Sequence, residues 1–300
     1  MIRRWRKLAA EALDRRFGPV NARLDALDAR LGASEARLDG QTAHLREHKA
    51  QLEQLGAVLR SLAADDPGHR RRLHALRAEP TYGAPWDEPG PLVTIAIPTR
   101  DRAELLAERA LPSALEQTYD RLEVLVVGDA AGPEVARVVE AVSDPRVRFV
   151  NLTHRYERPD GDRWLTAATL TRNESYRIAR GHWLVDLDDD DALRPDAVAS
   201  LLDHARAHRL EVAYGTLQEH LPDGASRDIG SFPPRLGDFG WQGAIVHAGL
   251  RFFEREHVAA DLGVPGDWFR AERMLRAGVR IGHLEQVTAD YYPAKAWLPG

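Results

Sequence analysis

The hydrophobic rhythm of the chain changes twice. From Val20 to Leu62, Leu24, Leu31, Leu38, Leu45, Leu52 and Leu59 recur every seven residues with no proline among them, which predicts a coiled-coil helix over residues 1–64. The companion seam, Val20, Leu27, Ser34, Gln41, His48, Leu55 and Leu62, is polar in its middle, and Gly32, Gly40 and Gly56 weaken the helix. With the leucines at position a, Arg23 reaches Asp28 and Arg30 reaches Glu35 across a parallel pair, so a homo-oligomer is expected through this segment. A single amphipathic helix lying on the rest of the chain is the alternative. Residues 65–91 contain five prolines and read as a Pro-rich linker carrying one short basic helix.

After Pro91, short apolar runs alternate with amphipathic stretches. The runs LVTIAI, LEVLVV, VRFV, HWLVDL and EVAYGTL read as strands, and residues 105–115, 135–142, 170–179 and 195–208 as helices. This alternation predicts an α/β domain over residues 92–300, with a mostly parallel sheet covered by helices on both faces. Ligands of such sheets bind beyond the carboxyl ends of the strands. Residues 222–243, rich in Gly and Pro, read as a long surface loop.

Composition narrows the classes. The absence of cysteine among 300 residues excludes disulfides, thiolate zinc sites and a cysteine nucleophile. A formal net charge of −5 with interspersed signs argues against a nucleic-acid partner. No stretch reaches the roughly 20 apolar residues of a membrane span, and no signal-peptide core is evident, so a cytoplasmic location is expected. Ile2, Trp5, Ala9 and Ala12 fall on one helical face beside Arg3, Arg4, Arg6 and Lys7, a pattern suited either to peripheral contact at the inner face of a membrane or to an ordinary solvated helix.

The chemistry concentrates where the strand ending at Leu187 runs into Asp188, Asp189, Asp190 and Asp191, with Pro195 opening the next helix. Adjacent carboxylates at a buried strand end repel one another unless a cation or hydrogen-bond donors offset them, and Mg²⁺ or Mn²⁺ prefers such oxygen ligands. By itself the run is equally compatible with a solvated acidic turn that caps the following helix. The inferred topology brings it beside Pro98-Thr99-Arg100-Asp101 and Gly128-Asp129 at the ends of the first two strands, so several polar groups converge.

The segments VTIAIPTRDRAELLAERALPSALEQTYDRLEVLVVGDA and TRNESYRIARGHWLVDLDDDDALRPDAV resemble the donor-binding half of a family-2 glycosyltransferase of the GT-A fold, over roughly residues 92–292. The resemblance implies a nucleotide-sugar donor, a UDP-sugar foremost, and a glycan or glycoconjugate acceptor. It implies that Pro98, Thr99 and Arg100 line the nucleotide pocket, that Asp129 accepts a hydrogen bond from the base, and that Arg172 and Asn173 face the nucleotide or its phosphates. Asp188 and Asp189 would lie toward the ribose, Asp190 would bind the metal, and Asp191 would start the next helix. It also implies that Asp267, in PGDWFRAERM, is the catalytic base of an inverting transfer; a carboxylate in the first turn of a helix beside an indole suits that task.

Some positions depart from the family pattern. Gly128 stands where an acid is usual, Arg100 and Asp101 replace an aromatic residue and Asn, Ser175 replaces Gly, and Gly266 replaces an acid. The Gln-x-x-Arg-Trp motif of processive synthases is missing, which implies single additions. His247 and His283 are further candidates for the metal or acceptor site, and Trp241 and Trp297 for stacking on sugars. Two competing readings are a sugar nucleotidyltransferase, which needs a glycine-rich loop where this chain has IPTRDRAEL, and an inactive domain on a coiled-coil scaffold.

Overall fold

The computed structural model describes residues 67–155 and 168–293 continuously, together with scattered helical positions between 23 and 56. The basic apolar face at residues 2–12, Leu24, Leu59 and Trp297 lie outside the described residues. Residues 1–60 and 61–300 form two separate units. In the first, the described heptad leucines Leu31, Leu38, Leu45 and Leu52 are helical and 60–69% exposed.

In the second unit, α1 (residues 67–77) and the short α2 (Ala84–Asp87) lead into β1 (Val93–Thr99). Helix α3 begins as Ala103–Leu105, takes a π-helical turn over Leu106–Ala110 and ends as Leu111–Leu115. There follow β2 (Leu122–Gly128), α4 (Pro133–Val142), β3 (Val147–Asn151), α5 (Thr169–Ile178), β4 (Trp183–Asp186), β5 (Ala192–Leu193) and α6 (Ala197–Ala207). The remainder is β6 (Val212–His220), β7 (Ser226–Ile229), β8 (Ala244–His247), α7 (Val258–Asp261), α8 (Gly266–Ala277) and β9 (Ile281–Tyr291).

All form one sheet in the order β3-β2-β1-β4-β8-β6-β9-β5, with β7 beside β6. The half containing β1 to β4 is parallel, as the buried apolar runs foretold, whereas β8 runs antiparallel to both neighbours. Side chains alternate between two cores. Ile95, Val124, Val126, Trp183 and Val185 enter one, and Leu125, Val127 and Leu184 the other. This double burial is why the strands read as continuous apolar runs.

Two segments differ from the sequence expectation. Part of the expected loop at 222–243 folds back as β7, pairing Ser226 with His220 and Ile229 with Leu217. The expected linker carries its basic helix, but it is packed onto the domain through buried Leu73, Tyr82 and Trp86. Its anchor is the buried Glu211, which accepts from Arg77 at 2.8 and 2.6 Å, from Tyr82 Oη at 2.6 Å and from the Arg280 amide at 2.8 Å. Burial would raise this carboxyl, but those bonds hold it below its ordinary range. Proline density signals the interrupted helix and carries no information about Glu211, more than a hundred residues away. Trp86→Ala is therefore expected to destabilise the domain by about 3–5 kcal/mol in urea unfolding, the cost of truncating a buried tryptophan; a tethering linker would show almost none.

Candidate active site

At the carboxyl edge of the parallel half, β1 and β4 pair only as far as Ala96 and Asp186. Beyond that point they separate, and the buried guanidinium of Arg172, from α5, fills the gap. Its Nη1 donates to the Ala96 carbonyl at 2.7 Å and its Nη2 to Asp188 Oδ1 at 2.6 Å. Asp188 also accepts from Gln242 Nε2 at 2.8 Å. A desolvated arginine is costly unless paired in this way, so the residue is fixed from two sides.

The four aspartates occupy different environments. Burial pushes the Asp189 carboxyl up to about 6, against the lowering influence of Arg102. Burial raises Asp190 as well, again opposed by Arg102. Arg102 Nη1 lies 3.2 Å from Asp189 Oδ1 and pairs closely with Asp190 Oδ2. Asp191 is buried and accepts from the Tyr292 amide at 2.9 Å, and burial followed by the charges of Asp188 and Asp190 lifts its carboxyl well above the usual range. It ties the end of β9 to the turn; the following helix starts after Asp196, whose side chain makes no capping bond.

Arg109 adds a third cation, donating to the Asp190 carbonyl at 2.9 Å while stacking 4.0 Å over the Tyr292 ring. It lies within the π-helical turn of α3, which precedes Pro112. Proline has no N–H to offer the carbonyl four residues back, and the relaxed turn re-aims the preceding side chains.

The ends of β1 and β2 are joined by the Asp129 amide, which donates to the Thr99 carbonyl at 2.8 Å. Pro98 and Thr99 thus sit beside Asp129, and Arg100 lies 3.9 Å from Asp129 Oδ2. Arg155 braces this corner, reaching Asp101 at 2.9 Å and the carbonyl of Ala130 at 2.8 Å. The glycine at 128 has a physical cause. A β-carbon there would meet Asn151 Oδ1 at 2.4 Å, and Asn151 is fixed by two 2.9 Å bonds with Ala131.

Asp267 is the second residue of α8, and its Oδ1 accepts from the Trp268 amide at 2.7 Å. Its carbonyl accepts from Trp241 Nε1 at 2.9 Å, while the next residue, Gln242, bonds Asp188. Two residues adjacent in sequence thus bond the first turn of α8 and the acidic turn. Asn173 bonds the backbone of Arg255 through both its polar atoms, at 2.9 and 2.8 Å, and so secures a loop.

Sequence reasoning missed the layer beneath. Asp186, buried at the end of β4, accepts from Tyr176 Oη at 2.6 and 2.5 Å and has Arg172, Arg255 and Arg270 within 3.6, 3.6 and 3.8 Å. Arg270 comes from α8 and bonds Tyr176 Oη at 2.6 Å, so the helix bearing Asp267 is joined to the strand bearing the acidic turn. Only the isolated polar residue in WLVD hinted at this. Arg102 lay in plain view in IPTRDRAEL, and its partners became visible only in the fold.

Both histidine candidates lie away from the turn. His283 Nε2 lies 3.2 Å from Thr216 Oγ1. His247 pairs with Trp183, at the opposite end of β4, and stacks on Trp86 with ring centroids 4.4 Å apart. Burial depresses its pKa to about 4. A histidine that titrates near 6.5 when unfolded and near 4 when folded binds more protons unfolded, so stability is lost as pH falls from about 6.5 toward 4. Against wild type, His247→Phe should flatten the pH dependence of unfolding free energy in that window, and equal slopes would place the acid sensitivity elsewhere.

The parallel half-sheet, split beyond β1 and β4 to receive an arginine and an acidic turn, defines a GT-A nucleotide-sugar transferase fold. The profile of Glycosyl transferase family 2 matches residues 94–259, just over half of the chain, and the chain belongs to that family. The matched region stops short of Asp267. The succinoglycan biosynthesis protein ExoO of Rhizobium meliloti is 34% identical over 136 residues, covering 45% of this chain and 36% of that protein. A chondroitin synthase of Escherichia coli is 33% identical over 118 residues, covering 39% of this chain and 16% of that protein. The chain thus spans little more than a third of the first relatives' length. Among solved structures, residues 1–349 of S. aureus TarS in complex with UDP superpose with a TM-score of 0.54 at 15% identity, covering 68% of this chain and 61% of that one. This likeness concerns the fold.

Proposed function

We propose that the domain transfers a sugar from a nucleotide-sugar, a UDP-sugar foremost, to an acceptor hydroxyl with inversion, in the assembly of a glycan or glycoconjugate. The observation that supports it is that neighbouring residues bond Asp267 and the acidic turn: Trp241 Nε1 donates to the Asp267 carbonyl and Gln242 Nε2 to Asp188. Family membership, the TarS complexes with UDP and UDP-GlcNAc, and relatives named for polysaccharide synthesis support the donor class. The nucleoside lies along Thr99 and Asp129, and the diphosphate lies over the acidic turn beside Arg172 and Arg102.

The four carboxylates there are bordered by three arginines, of which Arg102 and Arg172 pair with Asp188, Asp189 and Asp190, and Asp191 Oδ2 is buried without a hydrogen-bond partner among the described residues. Hard oxygen donors short of positive charge suit Mg²⁺ or Mn²⁺, and no group of three or more His, Asp or Glu among the described residues forms an all-protein cage. Asp190 would hold the ion, with Asp188 beside it, and the ion when bound neutralises the diphosphate. Asp267 takes the proton from the acceptor hydroxyl as its oxygen attacks the anomeric carbon and the bond to the diphosphate oxygen breaks.

The test is a panel of nucleotide-sugars incubated with the protein and Mn²⁺, following release of nucleoside diphosphate. Release from at least one sugar is expected. A chain that neither hydrolyses nor binds any of them is the scaffold of the alternative reading. No described helix is long and apolar enough to cross a membrane. The heptad leucines are proposed to pair with those of a second copy, which light scattering would read as a multiple of 33.5 kDa; a monomer mass would refute the pairing.

A further inference from the structure

Three arginines border the acidic turn, and two of them are fixed. Arg172 is buried between Ala96 and Asp188, and Arg109 is held by the Asp190 carbonyl and the Tyr292 ring. Arg102 differs. It stands at the start of α3 with its side chain 43% exposed, and one terminal nitrogen, Nη1, serves both Asp189 and Asp190. Among the described residues its Nε and Nη2 make no hydrogen bond, so most of a five-donor fork is uncommitted. Such a fork matches phosphate as well as carboxylate. Its present contact also covers Asp190 Oδ2, an oxygen that the donor site needs for a cation.

We propose that Arg102 is a transferable counter-cation. With the site empty it neutralises Asp189 and Asp190, and when the donor enters with its divalent ion the guanidinium passes from the carboxylates to the diphosphate, where it stabilises the departing nucleoside diphosphate. No bond is made or broken in this exchange of ion pairs. Two cations on one carboxylate oxygen repel, and the incoming phosphates offer the displaced guanidinium a new partner within reach of the same helix start. The proposal rests on the donor reading above and assigns Arg102 a role in both the empty and the loaded site.

Calorimetric titrations of Mn²⁺ alone and of UDP alone into wild type, Arg102→Gln and Arg102→Lys test it without relying on turnover. In Arg102→Gln, Mn²⁺ should bind about ten-fold more tightly than in wild type and metal-free UDP about ten-fold more weakly, the scale of one charged hydrogen bond. Arg102→Lys keeps the charge but loses the fork, so its UDP affinity falls while its Mn²⁺ affinity does not rise; it carries the test if the glutamine variant does not fold. If wild type binds UDP and both variants bind UDP and Mn²⁺ as wild type does, Arg102 is a static ion pair and the proposal is wrong. If wild type and variants all fail to bind UDP, the donor reading fails and takes this proposal with it.

Discussion

Asp267→Asn lowers transfer to an acceptor by about 10²–10⁴-fold, the contribution of a positioned general base, while UDP affinity stays at the wild-type value. The substitution preserves the shape of the side chain and an oxygen able to accept the Trp268 amide, so that bond in the first turn of α8 is kept. The bond from Trp241 goes to the Asp267 carbonyl and is indifferent to the side chain. The missing element is a carboxylate able to take a proton. Steady-state rates at saturating donor should fall with little change in the donor KM, because the loss lies in a step after binding. A rate within a few-fold of wild type would remove Asp267 from the chemistry and leave it as a first-turn helix residue.

Asp190→Ala is expected to lower transfer by about 10³-fold, equivalent to several kcal/mol of charge stabilisation on the departing diphosphate. Unlike Asp267→Asn, it should also erase any enhancement of UDP binding by Mn²⁺. Asp191 provides a contrast. Its oxygen holds the Tyr292 amide, so Asp191→Ala should act on stability and much less on metal affinity. If Asp190→Ala and Asp191→Ala had equal effects on metal-dependent binding, the division of labour within the turn would be wrong.

The parts legible in the sequence were those set by local periodicity. Val93–Thr99, Leu122–Gly128 and Trp183–Asp186 could be placed because strands buried on both faces must be apolar throughout. The acidic turn could be found because four adjacent carboxylates are unusual at a strand end. What stayed hidden depends on residues distant in the chain. Arg172 reaches Asp188 across 16 positions, Gln242 across 54 and Arg102 reaches Asp190 across 88, and no local pattern encodes such pairs. The partner of Asn173, the backbone of Arg255, lies 82 positions away and was hidden for the same reason. His247 looked like a ligand until Trp86, in a segment read as a linker, proved to stack on it.

By itself the acidic run fitted a metal site and a solvated turn equally. Arg102, Arg172 and the Tyr292 amide answer much of its repulsion, so the case for a cation rests on the charge left over at the turn. The most direct test of the central claim is a crystal structure of the chain with UDP and Mn²⁺. The diphosphate should lie beyond β4 between Asp190 and Arg172, with Mn²⁺ on Asp190 and the uracil beside Asp129. A nucleotide bound elsewhere, or Mn²⁺ on ligands that exclude Asp190, would contradict it.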